Sequence, residues 1–314
     1  MPQHKRLTAQ EVLTPRTPQD HSLGSQCSLN PLNRCLIKLC LITVCCLSAF
    51  TLTSCRQPQL DEVSLTELSL DEVKPSGARL MRLKMGLHLI SAPAETNTSA
   101  RPRIVLVHGY GSRGYEWIYP AHKLSARGEV YFYRWDWGQC PDSAGAELLT
   151  TLERFAEREP KRPIELYGHS YGGVISAVAA ARYRGVTPIT AHLIAAPLAG
   201  HPKLEARCSA PINELTTSLQ RSSATMSSLV KLRQWRTQHK LDGAFKTLSV
   251  DPQIVDWRGV VTTLPDRYGE HRLGHNRSIS WVVDNLSRPS LRPDSTRSPP
   301  ISTPTSTSQP KERP

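Results

Sequence analysis

From Arg103 to Pro197 short apolar runs alternate with longer amphipathic ones. "RIVLVHGYG" (Arg103–Gly111) is an apolar run ending in glycines and reads as a buried strand. Glu116–Ala126 predicts a helix. Glu129–Trp137, rich in β-branched and aromatic residues, predicts a strand. Asp142–Glu159 carries Leu148, Leu149, Leu152 and Phe155 at helical spacing, and a proline follows. "PIELYG" (Pro163–Gly168) is the next strand, Tyr171–Tyr183 a helix of small residues, and Ile189–Pro197 another strand. Before this block, Ala78–Ser91 alternates loosely and reads as one or two opening strands. After it, Gly200 to about Leu232 lacks a strand pattern and reads as a small helical cap. Leu232–Gly243 reads as a strand ending in Asp242, and Gly259–Pro265 as a short strand. Asn276–Leu286 is a final helix with Ile279, Val282, Val283 and Leu286 on one stripe. Strands alternating with helices predict an α/β fold, with a mostly parallel central sheet and helices on both faces. Such sheets bind ligands at the carboxyl ends of their strands, where Gly109, Ser170 and Pro197 fall.

The two ends have a different pattern. Asn33–Cys55 places Arg34 and Lys38 before an almost wholly apolar Leu39–Leu52, the length of a signal-peptide core rather than of a membrane span. It ends in Leu52-Thr53-Ser54-Cys55, which resembles the lipobox of bacterial lipoproteins. That resemblance implies lipidation of Cys55, cleavage before it, and membrane attachment in the cell envelope; an uncleaved signal anchor is the alternative. Arg56 stands where an aspartate would favour inner-membrane retention, which points to the outer membrane. Residues 1–54 are therefore expected to be a signal peptide and 55–77 a polar, acidic linker. The expected folded body is 78–287, with its cap at about 200–232. The Ser/Thr/Pro-rich stretch 288–314 has no hydrophobic period and reads as a disordered tail.

Charge changes this picture little. The net charge is +12, and residues 1–54 and 288–314 each carry five Lys or Arg against two acids. No dense Lys/Arg block is interleaved with aromatics, so nucleic acid is not an expected partner. Six of the eight cysteines lie between Cys27 and Cys55, without metal-binding spacing. The other two, Cys140 and Cys208, are placed to form a disulfide that pins the cap in an oxidising compartment.

Gly168-His169-Ser170-Tyr171-Gly172 matches G-x-S-x-G at a strand-to-helix junction, a turn that exposes a nucleophile. A nucleophilic serine needs a base, an acid orienting that base, and donors for an oxyanion. His275 opens the last helix and is the favoured base, with His271 its rival. A His271/His275 metal pair lacks the adjacent glutamate of H-E-x-x-H and a third ligand. Asp242 is the favoured acid on strand position, with Asp251 and Asp266 left open. The backbone N–H groups of Tyr110, in "HGYG", and of Tyr171 are the candidate oxyanion donors, and His108 reads as a loop brace. Trp117, Tyr119, Trp135 and Trp137 are candidate walls of an apolar acyl pocket.

Together G-H-S-Y-G-G, the earlier H-G-Y-G and the terminal "GHNRSISWVV" resemble the α/β-hydrolase family of serine esterases and lipases, over about Ala78–Leu286. The resemblance implies attack of Ser170 on a carboxylic ester, an acyl-enzyme, and its hydrolysis by water activated by His275. It implies no metal or organic cofactor. "RTQHKLDGAFK" departs from the family's usual loop around the acid. Two other readings stand beside the esterase: a thioesterase or peptidase of the same fold, and a non-catalytic envelope lipoprotein that uses this fold to bind a partner.

Overall fold

The computed structural model describes residues 61–92, 101–208, 226–256 and 259–286. All of them belong to one unit, Gln57–Pro314. The apolar runs become strands β1 (Glu62–Ser64), β2 (Gly86–Ser91), β3 (Arg103–Val107), β4 (Glu129–Arg134), β5 (Ile164–His169), β6 (Ile189–Ile194), β7 (Val230–Arg236) and β8 (Val260–Thr263). They form one sheet in the order β1-β2-β4-β3-β5-β6-β7-β8. Only the β2–β4 pairing is antiparallel; the other neighbours run parallel. A small hairpin of β9 (Arg267–Tyr268) and β10 (His271–Arg272) stands apart from the sheet.

Side chains alternate across the pleat, so each central strand feeds two cores. In β3, Val105 and Val107 face one core and Ile104 and Leu106 the other. The first core is covered by α3 (Pro141–Arg158) and α4 (Tyr171–Arg182). The second is covered by α1 (Val73–Met81), α2 (Ile118–Ser125) and α6 (Gly274–Asn285). A four-residue helix, α5 (Pro202–Glu205), follows β6. Both faces of the sheet are therefore apolar, which is why its strands read as continuous hydrophobic runs. Every residue of α4 except Arg182 is buried. Its glycines and alanines permit that, because they let it lie close to the sheet and to α3.

Several sequence-based boundaries change. Residues 62–77 are not linker: β1 pairs with β2, and α1 begins at Val73. Ala78–Met81 is helix rather than strand, because Ser76, Gly77 and Leu80 form one buried face. The strand expected at Leu232–Gly243 stops at Arg236, where the Gln253 side chain takes over both backbone hydrogen bonds of Thr237. In the expected cap, Pro202–Glu205 is helical, residues 209–225 lie outside the described residues, and 230–232 already belong to β7. The expected signal segment with Cys55, and the expected tail from 288, also lie outside the described residues. Among the described residues no helix is long and apolar enough to cross a membrane.

Candidate active site

Ser170 connects β5 to α4 with φ 55° and ψ −121°, a conformation that side chains rarely adopt. The surroundings hold it there. Its N–H donates to the Ile194 carbonyl at 2.8 Å, and α4 starts immediately after it. The flanking glycines are sterically required. A Cβ on Gly172 would lie 2.2 Å from the Val107 carbonyl oxygen, and one on Gly168 2.5 Å from the Gly172 carbonyl oxygen. Helix and strands thus approach too closely for any side chain, and the serine is pushed out at the sheet edge.

His275 is the second residue of α6, and Asp242 follows a short 3-10 turn after β7. His275 Nδ1 lies 2.9 Å from Asp242 Oδ2. Asp242 is fully buried; its Oδ2 also accepts from the Thr237 hydroxyl at 2.5 Å and its Oδ1 from the Ala244 N–H at 2.8 Å. Burial pushes its pKa up, but these bonds and the nearby His275 outweigh it and leave the carboxyl below its usual range. Buried Gln253 accepts from the Thr237 N–H at 2.9 Å and so steadies the hydroxyl that faces Asp242. The rival acids are elsewhere. Asp251 caps the turn to Gln253, accepting from its N–H at 2.9 Å. Asp266 is exposed, and the rival base His271 is exposed in the small hairpin.

Phe245 packs edge-on to the His275 ring, with centroids 5.0 Å apart. His169 supports the same histidine from below. It is buried, its ring centroid is 4.6 Å from that of His275, and its Nε2 meets the His275 carbonyl at 3.1 Å. Burial first, and the adjacent His275 second, hold its pKa well below the ordinary value, so it is neutral. His108 is neutral too: burial lowers its pKa to about 3. Its Nδ1–H donates to the Gly109 carbonyl at 2.9 Å and its Nε2 accepts from the Trp135 N–H, which braces the loop after β3. Among the described residues, neither the Tyr110 nor the Tyr171 N–H donates to a protein acceptor.

Ser170 and His275 line two adjoining cavities, one of about 690 Å³ and one of about 210 Å³. Ser170 Oγ makes no hydrogen bond to His275 among the described residues. Glu116 lines the small cavity; burial raises its pKa, against the opposing pull of a short hydrogen bond from Ser112. Of the four aromatic residues singled out in sequence, only Trp137 lines the large cavity. Trp117 and Trp135 are core residues, and Tyr119 donates to Asp284 at 2.7 Å. A disulfide joins Cys140 to Cys208 beside the large cavity, with Cα atoms 5.7 Å apart. Sequence reading assigned no role to His169, Thr237, Gln253 or Phe245. Their signal is spatial: each acts through a neighbour distant in sequence or across a turn. Among the described residues no cluster of His, Cys, Asp and Glu is arranged to hold a metal.

No curated protein matches the chain in sequence. Among solved structures it is similar to the carboxylesterase CesB of Bacillus subtilis, at 11% identity over 71% of this chain and 96% of that one, with a TM-score of 0.42. It is also similar to Est1E of Butyrivibrio proteoclasticus, at 12% identity over 60% and 87%, with a TM-score of 0.43. The Bacillus licheniformis lipase BlEst2 aligns at 17% identity over 46% and 68%, with a TM-score of 0.33. These likenesses are too remote to carry a functional argument. A family model described as "Alpha/beta hydrolase family" matches residues 104–298, more than half of the sequence. With its mostly parallel eight-stranded sheet and a strained serine at the β5–α4 turn, the chain belongs to the alpha/beta hydrolase family.

Proposed function

We propose that the protein is a serine hydrolase of carboxylic esters in which Ser170, His275 and Asp242 work as a triad. The single observation that carries this reading is the 2.9 Å bond from His275 to a fully buried Asp242, on a histidine that shares two cavities with Ser170. Asp242 accepts a hydrogen bond from His275 Nδ1–H, which fixes the tautomer whose Nε2 lone pair is free to act as base. Ser170 Oγ attacks the ester carbonyl while its proton passes to His275 Nε2. The tetrahedral oxyanion then meets the N–H groups of Tyr110 and Tyr171, each such donor being worth about 2.7–4 kcal/mol in the transition state. Collapse breaks the ester C–O bond, and the alcohol leaves with the proton from His275. Water, deprotonated by the same nitrogen, attacks the acyl-enzyme; collapse releases the acid and returns the proton to Ser170. The absent Ser170–His275 hydrogen bond is the one observation on the side of a non-catalytic binding role. Such bonds are often long in ligand-free sites and tighten with substrate.

The reading extends to location: lipidated at Cys55, the chain is tethered to an envelope membrane, where several acyl chains give stable attachment. One experiment tests both. Cell fractions carrying the full chain are treated with a fluorophosphonate probe. We expect labelling in the membrane fraction, lost in Ser170→Ala, strongly reduced in His275→Ala, and moved to the soluble fraction in Cys55→Ala. A folded wild-type chain that takes no label sinks the hydrolase reading; label that stays with the membrane in Cys55→Ala sinks the anchor.

A further inference from the structure

We infer that the site selects esters bearing a second, anionic group, which Lys203 and Arg207 recognise in the large cavity. This inference rests on the hydrolase reading above. Among the described residues, the basic side chains lining that cavity are His201, Lys203, Arg207 and His275, and no Asp or Glu lines it. Neither Lys203 nor Arg207 has a carboxylate partner among the described residues. The guanidinium of Arg207 lies over the Tyr110 ring at 5.2 Å, so it sits beside a candidate oxyanion donor. An exposed Lys or Arg on an ordinary surface is mobile and well solvated, and such charges rarely select anything. Here both side chains are exposed as well, but the backbone that carries them is anchored at two points. Leu204 is buried, and Cys208, next to Arg207, is bonded to Cys140. Two cations without a carboxylate partner among the described residues thus line a concave site with aromatic walls, Tyr110 and Trp137. A cleft of one sign with low-dielectric walls concentrates the opposite charge. A carboxylate or phosphate on the substrate meets that field, and the guanidinium is suited to binding it bidentately. The small cavity differs, since both Arg113 and Glu116 line it. Among the described residues only the large cavity thus has lysine and arginine without an acid in its lining, and the anionic end of a substrate belongs there.

The test is a pair of competitions on full-length protein. 4-Nitrophenyl hydrogen glutarate against 4-nitrophenyl butyrate places the charge on the acyl side. 4-Carboxyphenyl acetate against phenyl acetate places it on the leaving side. In at least one pair the anionic ester is expected to have a kcat/KM about tenfold higher at low salt, with the ratio shrinking as ionic strength rises. The ratio should fall to about one or below in Lys203→Gln/Arg207→Gln, invert in Lys203→Glu/Arg207→Glu, and survive Lys203→Arg. Each ratio is taken on one preparation, so partial misfolding cancels. Hydrolysis of the neutral esters without preference in either pair, or a preference that survives the double glutamine variant, overturns this inference alone. No hydrolysis of any ester, with no fluorophosphonate labelling, overturns it together with the hydrolase reading.

Discussion

Asp242 and Asp251 lie nine positions apart, both in loops after β7, yet they face different tasks. Asp242 is fully buried and bonded to His275; Asp251 supports Gln253, which in turn steadies Thr237. Sequence patterning alone leaves Asp242, Asp251 and Asp266 open, because all three sit next to turn residues. What separates them is burial and the direction of one hydrogen bond, and neither is periodic along the chain. Asp242→Asn is therefore expected to slow ester hydrolysis by roughly 10³–10⁴-fold, since an amide no longer holds the imidazole in the tautomer needed for a base. Asp251→Asn should slow it by no more than about tenfold. Steady-state kinetics of the two variants checks this, and equal losses would remove Asp242 from the mechanism.

At the scale of elements, the β5–α4 turn is the most legible piece of the molecule. The glycines at positions 168 and 172 predict a close approach, and the structure shows carbonyl oxygens where their side chains would be. Gly172→Ala must displace backbone, since the nearest atom is a carbonyl oxygen of β3 at 2.2 Å. We expect it to destabilise the fold by about 3 kcal/mol or more, as overpacking against rigid backbone does. Gly243→Ala, with nothing within 4 Å of the added methyl, should leave thermal stability nearly unchanged. Comparison of the two unfolding midpoints decides the matter; similar midpoints would mean that the β5–α4 turn has room for a methyl group at Gly172. Two of the boundaries that sequence patterning misplaced share one cause. β1 has three residues and the end of β7 is set by the Gln253 side chain, so neither boundary leaves a hydrophobic period to detect.

For the whole molecule, buried histidines tie stability to pH. Burial lowers the pKa of His108 and His192 to about 3, and His169 lies well below its ordinary value for the same first cause. In the unfolded chain each returns to about 6.5. Between these limits the unfolded state binds more protons, so stability rises with pH and is complete only above about 6.5. Acid therefore destabilises the fold by up to about 1.4 kcal/mol per pH unit for each of His108 and His192 as pH falls from 6.5 toward 3, and His169 adds a loss of the same sign. Asp242 adds its own loss only lower down: its folded pKa is depressed, so its contribution is present above about 3.9 and vanishes as pH falls through the folded value. Denaturant melts at pH 8.5, 7.5, 5.5 and 4.5 should show a plateau at the first two and a steep decline after. A flat profile down to pH 4.5 would mean that these histidines are protonated in the fold.

The sequence by itself determined the α/β class, the strand–helix alternation from Arg103 to Pro197, and the serine at the nucleophile turn. Each is local: side-chain periodicity within an element, or steric demands between residues a few positions apart. Tertiary structure alone decided which aspartate meets His275, which aromatic residues are core and which one lines the site, and that Lys203 and Arg207 border the same cavity as Ser170. Those relations join loops that follow different strands. The sheet order brings β5, β6 and β7 side by side, so that segments dozens of residues apart in sequence converge at one edge, and periodicity along the chain carries no record of that neighbourhood.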